Sequence, residues 1–350
     1  MKISRLSLLL LLFVFASATS NAAQAAEVRN KGPRVAALIN LPSANGNIWD
    51  IDDSEGYVDD GSQDAFDSYG GLRIEVKDAG NATLQSSSVV ANLALVASGT
   101  NRLVTTTPFF AAGVSVSRRV YAIPGSNVLR YLDTLTNSSG AVRKVRIAFG
   151  AANGDLGSDG NTHVAGTSSG DLLITTADNW MVSTDQLLPT AAVDDPPVGV
   201  AWSNRAAASF IGSGDAGDPL TTAFAGDGDD GFSPVYDFTL NPGETKVLAH
   251  FVYRGLSEGG STGGESRIAP AAAGAERALA LSTIAGVVSA PNFADLSTPE
   301  QALIYNWALA VAEPPIAVPT LDRAALPLIV LLLAISTLIA TRRRRALKRA

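Results

Sequence analysis

The chain has 350 residues, with 26 Lys plus Arg, 33 Asp plus Glu, two His and no Cys. Without cysteine there is no disulfide, no thiolate metal site and no cysteine nucleophile, and two histidines, His163 and His250, do not make a multi-histidine metal centre. The net charge of −7 conceals a segregated pattern, because residues 26–321 hold 17 basic and 32 acidic side chains, or −15, and a body of that sign repels a phosphate backbone, so no nucleic-acid partner is expected.

The first element is an address. Lys2 and Arg5 precede an apolar run from Leu6 to Ala16, followed by small and polar residues and Ala23-Gln24-Ala25. This is the pattern of a secretory signal peptide over residues 1–25, with a mature chain from Ala26. The apolar run is about half of what a bilayer span needs. Sec machinery and signal peptidase are the expected partners of this segment.

A short lead-in with an apolar run from Val35 to Leu41 leads to an acidic stretch, Asp50 to Asp67. Asp50, Asp52 and Ser54 match positions 1, 3 and 5 of an EF-hand loop, but Glu55 stands where Gly is required and Gly61 where Glu is required. From Leu72 the texture is β. Leu72 to Lys77 alternates apolar and charged residues, and Val114 to Tyr121 does nearly the same. Val128–Thr136 and Val142–Phe149 follow, separated by turn signals at Pro124-Gly125-Ser126 and Asn137-Ser138-Ser139-Gly140. Three strands and two tight turns predict an antiparallel meander, with Lys144 and Arg146 on the face opposite Val145, Ile147 and Phe149. Further strands are expected at 171–176, 180–184, 198–203, 207–211, 235–240 and 245–253, the last two joined as a hairpin at Pro242-Gly243. No helical pattern alternates with these strands, so the expected fold of residues 26–254 is mainly β, an antiparallel β-sandwich.

Residues 255–270 are Gly/Ser-rich and read as a linker. Residues 271–312 read as a small helical segment that caps an open end of the sandwich. Its second helix begins at the capping box Ser297-Thr298-Pro299-Glu300 and is expected to run to about Ala310. Glu313-Pro314-Pro315 stops it, and residues 313–323 form a stalk. Ala324 to Ala340 is a charge-free, Leu/Ile/Val-rich transmembrane helix at the short limit for a span. The basic tail 341–350 follows, with Arg342, Arg343, Arg344 and Arg345 at its head. By the positive-inside rule the tail stays in the cytoplasm and the body lies outside the membrane.

Val318-Pro319-Thr320-Leu321, the span and the Arg-rich tail together resemble a bacterial IPTL-CTERM sorting signal, over about the last 33 residues. Val318 replaces the family's Ile, and Asp322-Arg323-Ala324-Ala325 stands where Trp-Gly is the family pattern. The resemblance implies an exosortase-like membrane peptidase as partner, removal of the span and passage to the cell surface. A permanent membrane anchor is the other reading.

Chemistry is less marked. Neither histidine lies beside a G-x-S-x-G elbow. His250 reads as a sheet residue, and His163 follows a glycine-rich loop in Gly160-Asn161-Thr162-His163. Carboxylate-and-glycine loops at 50–67, 155–159, 215–218 and 227–230 suit weak extracellular calcium, and Asp227, Asp229 and Asp230 are the candidate ligands; no other cofactor is expected. Trp180 and Trp202 fall in predicted strands and read as core, whereas Trp49, beside the acidic stretch, is the candidate exposed aromatic for carbohydrate. Two functions are weighed: a non-enzymatic exported surface protein in envelope structure, matrix or adhesion, and a secreted polysaccharide-binding or polysaccharide-processing protein. A cleft with convergent carboxylates, one with a raised pKa, would mark the enzyme.

Overall fold

The computed structural model describes residues 38–44, 48–58, 65–89, 91–95, 101–150, 155–156, 162–184, 196–215, 217–255 and 270–309. The expected signal peptide, most of the linker, the sorting motif, the C-terminal span and the basic tail lie outside the described residues.

The chain forms β1 (Leu38–Pro42), β2 (Ile48–Asp52), β3 (Phe66–Asp67), β4 (Gly71–Lys77), β5 (Thr83–Ser88), β6 (Leu93–Leu95), β7 (Arg102–Thr105), β8 (Phe109–Ala111), β9 (Val114–Ala122) and β10 (Val128–Asn137). It continues with β11 (Arg143–Gly150), β12 (Asp155–Leu156), β13 (His163–Thr167), β14 (Trp180–Thr184), β15 (Val198–Ala201), β16 (Phe210–Ser213), β17 (Phe232–Leu240) and β18 (Thr245–Arg254), then helices α1 (Pro270–Ser289) and α2 (Thr298–Ala302). The fold is mainly β with antiparallel sheets. A nine-stranded sheet runs β13-β14-β15-β18-β10-β9-β7-β6, with β8 also on β9, and a five-stranded sheet runs β16-β17-β11-β4-β5.

The two sheets face each other across one core. Period-two sequence puts Leu72, Ile74 and Val76 of β4 and Val145, Ile147 and Phe149 of β11 inward. They meet Val116, Val120, Leu129, Tyr131, Leu248 and Val252 from the larger sheet in a single apolar cluster. In β9 burial alternates strictly, because its other face is partly open. In β18 the last eight residues are all buried, since a second layer covers the outer face there. That layer is α1 and the chain after it. Ala280 and Ile284 of α1 are buried, and Gly166 and Gly199 lie beneath Leu281 and Ile284. A Cβ at position 166 would stand 2.7 Å from Leu281 Cδ2. By length and composition α1 is apolar enough to cross a membrane, yet Glu276 is buried and Arg277 Nη2 donates to Ala165 O at 2.9 Å.

The predicted meander is corrected. β9 and β10 do pair as a hairpin, but β11 leaves for the other sheet, where it pairs with β4 and β17. The predicted hairpin at Pro242-Gly243 is likewise a crossing from β17 to β18 between sheets. Asn137 explains both. Its fully buried side chain donates to Ala141 O and Leu240 O and accepts from Ser139 N–H and O–H, while its backbone bonds Gly243 and Glu244. One amide therefore ties two arches side by side, and a turn signal alone does not separate an arch from a hairpin.

Two further expectations differ. Residues 171–176 are no strand, because the Asp178 carboxylate accepts from Ser168 and Thr175 hydroxyls and from Ser169 and Thr175 N–H groups, folding the segment into turns. Helix α2 keeps its predicted capping box on Ser297 and Glu300 but ends at Ala302. β15 pairs only with the far end of β18, so the near end is open to the chain that follows α2. Val247 N–H donates to Leu303 O, and Tyr305 N–H donates to Val247 O. The helical segment thus packs on a sheet face rather than over an end of the sandwich.

Candidate functional site

The outer face of the five-stranded sheet carries an ordered set of charges. Arg73, Glu75 and Lys77 point outward from β4 because their neighbours fill the core. Arg146 of β11 stands directly between Glu75 and Asp237 in the register. Its Nη1 donates to Asp237 Oδ2 at 2.8 Å and its Nε to Leu220 O at 3.1 Å. Its guanidinium carbon lies 5.6 Å from the centre of the Phe210 ring. Lys77 Nζ meets Glu75 Oε2 at 2.8 Å, and Thr83 Oγ1 donates to Glu75 Oε1 at 2.7 Å.

A shallow depression of about 420 Å³, open to solvent, lies among Glu75, Lys77, Arg146, Phe210, Leu220 and Thr221. The last two come from the loop after β16, which folds back onto that strand. Leu220 N–H donates to Asp218 Oδ1 at 3.0 Å, and Arg73 Nη2 pairs with Asp218 Oδ2 at 2.8 Å. Gly212 is required beneath this loop, since a Cβ there would run into the Pro219 carbonyl. Phe210 and Leu220 join Ala148 and Val235 in a small apolar cluster that floors the site. Partial burial alone would raise the Glu75 pKa. Hydrogen bonds from Lys77 and Thr83, with the charges of Lys77 and Arg146, outweigh it and hold the carboxyl below its usual range. Glu75 is the one carboxylate among the lining residues.

A second polar group is sealed between the sheets. Arg118 of β9 and Asp133 of β10 are cross-strand neighbours, 1% and 0% exposed. Arg118 Nη1 also donates to the carbonyls of Glu55, Gly56 and Gly70. Burial raises the Asp133 pKa and Arg118 pulls it partly back. His250 stacks on Phe149 with ring centres 3.8 Å apart, and its Nε2 meets Tyr236 Oη at 3.0 Å. Burial, reinforced by the Arg118 charge, holds the His250 pKa well below its ordinary value. The group therefore combines a raised carboxyl with a neutral histidine, but every member is walled in by the two sheets.

The residues singled out by sequence fall elsewhere. His163 Nδ1 is 3.6 Å from Asp227 Oδ2, at the edge of the larger sheet. Asp227 Oδ1 accepts from Val164 N–H, Asp229 Oδ1 from Ser213 O–H and Gly231 N–H, Asp229 Oδ2 from Ala225 N–H, and Asp230 Oδ1 from Thr162 N–H. The three candidate calcium ligands thus brace separate stretches of backbone. Among the described residues no group of three His, Asp or Glu side chains is placed to hold a metal ion. Burial, with the nearby charges of Asp215 and Asp229, raises the Asp230 pKa against the pull of the Thr162 hydrogen bonds. Trp202 is core as expected, while Trp180 is half-buried. Trp49 is a correction: it is fully buried, against Phe66 and beneath the Arg254 guanidinium at 4.6 Å. Strand pairing of β1 with β2 turns it inward, which its acidic neighbours in sequence do not reveal. Phe210 and Leu220 carry no signal in the sequence, because only the fold-back of the loop brings them to the charged face.

No family model matches the chain, and no curated protein matches it. Among solved structures it is similar to a polysaccharide lyase, at 12% identity and a TM-score of 0.33, covering 65% of this chain and 33% of that one. It is also similar to a galactose mutarotase-like protein from Lactobacillus casei ATCC 334, at 11% identity and a TM-score of 0.35, covering 62% of this chain and 100% of that one. The chain therefore spans about a third of the lyase. Similarity at this level transfers no activity.

Proposed function

We propose that this is an exported bacterial cell-surface protein whose sandwich has a non-enzymatic structural, matrix or adhesion role. In this reading signal peptidase removes residues 1–25 after Sec export, and the body works outside the cytoplasmic membrane. Val318-Pro319-Thr320-Leu321 is presented to an exosortase-like peptidase, residues 324–340 span the membrane, and Arg342 to Arg345 hold the tail inside. The supporting observation is the placement of acids among the described residues. Asp227, Asp229 and Asp230 brace turns, Asp133 is sealed against Arg118, and the surface depression offers a single ionised carboxylate. Glycoside chemistry by acid and base needs two carboxyl groups across a substrate, one of them protonated.

Mass spectrometry of the form recovered from the surface of intact cells tests the reading. The expected product begins at Ala26 and ends no later than Leu321. Surface material that keeps residues beyond Leu321 makes the C-terminus a permanent anchor and removes the sorting step. A full-length chain confined to the cytoplasm, with residues 1–25 in place, overturns the proposal.

A further inference from the structure

We infer that the depression on the outer face of the five-stranded sheet binds a sugar unit of a surface or matrix polysaccharide. Its apolar surface is the half-buried Phe210, which rests on the buried Leu220, and Lys77, Arg146, Glu75 and Thr221 supply the polar groups. A pyranose has the matching two-sided character, with C–H groups on its faces and hydroxyls around its edge. The polar groups are fixed before any ligand arrives. Asp237 and the Leu220 carbonyl orient Arg146, and Lys77 and Thr83 orient Glu75. Ordering them on binding therefore costs little entropy. The opening to solvent lets the neighbouring units of a polymer pass out of the site, which an enclosed pocket would forbid.

The charge balance points the same way. The body as a whole is strongly acidic, yet two cations and one anion line this depression. Its donors outnumber its acceptors, which suits the hydroxyl and ring oxygens of a sugar, or the carboxylate of a uronate. Glu75, held ionised by Lys77, Thr83 and Arg146, accepts a hydroxyl hydrogen and does not act as a general acid. The site is built for holding a glycan. The inference does not rest on the route by which the protein reaches the surface.

The test is affinity electrophoresis of the full chain in a non-glycosidic detergent, through gels containing a neutral glucan, a galactan or a polyuronate. Retardation by at least one polymer is expected, and comparison of the neutral and uronate gels shows which sugar the cations select. The double variant Lys77→Gln/Arg146→Gln, and separately Phe210→Leu, should weaken retention about tenfold or more, as expected for loss of charge-assisted hydrogen bonds or of the ring face. Lys144→Gln lies on the same sheet face outside the depression and should leave retention unchanged. Thermal melts of each variant confirm that it is folded. No retardation by any polymer overturns the inference. So does retention that survives the double variant, or that Lys144→Gln weakens equally, since the latter marks a diffuse charge effect.

Discussion

Arg118 and Asp133 stand opposite each other on adjacent strands with both charges enclosed between two sheets, Nε to Oδ1 at 2.7 Å and Nη2 to Oδ2 at 3.1 Å. The guanidinium also lies 4.8 Å from the Tyr131 ring centre and donates to three backbone carbonyls. It thereby fixes the chain at Glu55, Gly56 and Gly70 against the larger sheet. Asp133→Asn keeps the shape but leaves a buried cation without a counter-charge. The expected loss is about 3–5 kcal/mol of unfolding free energy, read by urea denaturation. A double change to Arg118→Met/Asp133→Leu should lose less than Asp133→Asn alone, because no isolated charge remains. A loss from Asp133→Asn below about 1 kcal/mol would mean that the pair is hydrated rather than sealed.

His250 gives the protein a pH dependence of definite sign. Burial first, and Arg118 second, keep its folded pKa well below the unfolded value. The unfolded chain therefore binds a proton near pH 6.5 that the folded chain refuses. Stability should fall as pH drops below about 6.5, with a slope approaching 1.4 kcal/mol per pH unit from this group. The carboxyls with lowered pKa, Glu75, Asp178, Glu244, Asp295 and Glu300, add losses only at lower pH. Melting midpoints at pH 7.5, 6.5 and 5.5 check this on a scale set by His250→Gln, which should flatten the curve. Equal slopes in the two proteins would count against the assignment.

What the sequence discloses is local. Leu72 to Lys77 shows which residues face in and which face out, because a strand has period two and one face of the sheet is wet. Glu75, Lys77 and Arg146 are therefore legible as outward groups from the alternation alone. Asn137 is legible as a turn residue but not as the tie between two arches, because its partners at Leu240, Gly243 and Glu244 are about a hundred residues away. Pairing between strands likewise decides the inward turn of Trp49, and the fold-back of a loop brings Phe210 and Leu220 beside Arg146. Properties set by one strand are legible; those set by contacts between strands are not.

Gly199 should be sensitive to a single methyl. It lies on β15 directly beneath Ile284 of α1, and a Cβ there would collide with that side chain. Gly199→Ala is expected to cost about 1–3 kcal/mol by overpacking. Ile284→Ala removes the Cγ1 atom that the new methyl would meet, so Gly199→Ala should cost less in that background, a coupling that a double-mutant cycle detects. A silent Gly199→Ala, with no coupling to position 284, would mean that α1 does not rest on the sheet.

Calcium should have little purchase on the turns that hold Asp227, Asp229 and Asp230. Backbone N–H groups and hydroxyls already occupy oxygens of Asp227, Asp229 and Asp230 from three different directions. A calcium ion needs six to eight oxygens around one centre, so these turns would have to be rebuilt. The melting midpoint is expected to be the same in millimolar calcium and in chelator. A clear rise with calcium would show binding to the folded state.

Asn306 is the test of how firmly the chain after α2 belongs to the sandwich. Its Nδ2 donates to Trp202 O at 2.6 Å and to Ala249 O at 2.7 Å, and its Oδ1 accepts from Ala249 N–H at 2.9 Å. Trp307 Nε1 adds a bond to Ala249 O, and its ring packs edge-on against Phe251 and Phe293. These contacts serve the part of β18 that β15 leaves unpaired, and both Asn306 and Trp307 are buried there. Asn306→Ala strands the buried Ala249 N–H, worth about 1–3 kcal/mol when left without a partner, and takes one of two donors from Trp202 O and Ala249 O, which keep Tyr236 O–H and Trp307 Nε1. The expected cost is about 1–3 kcal/mol, measured by urea denaturation. Trp307→Phe keeps most of the ring packing but removes one donor, and should cost about 1–2 kcal/mol. If both variants unfold at the wild-type midpoint, residues 303–307 are an accessory lying on the sheet. If both lose stability as stated, residues 303–307 are an integral part of the folded sandwich.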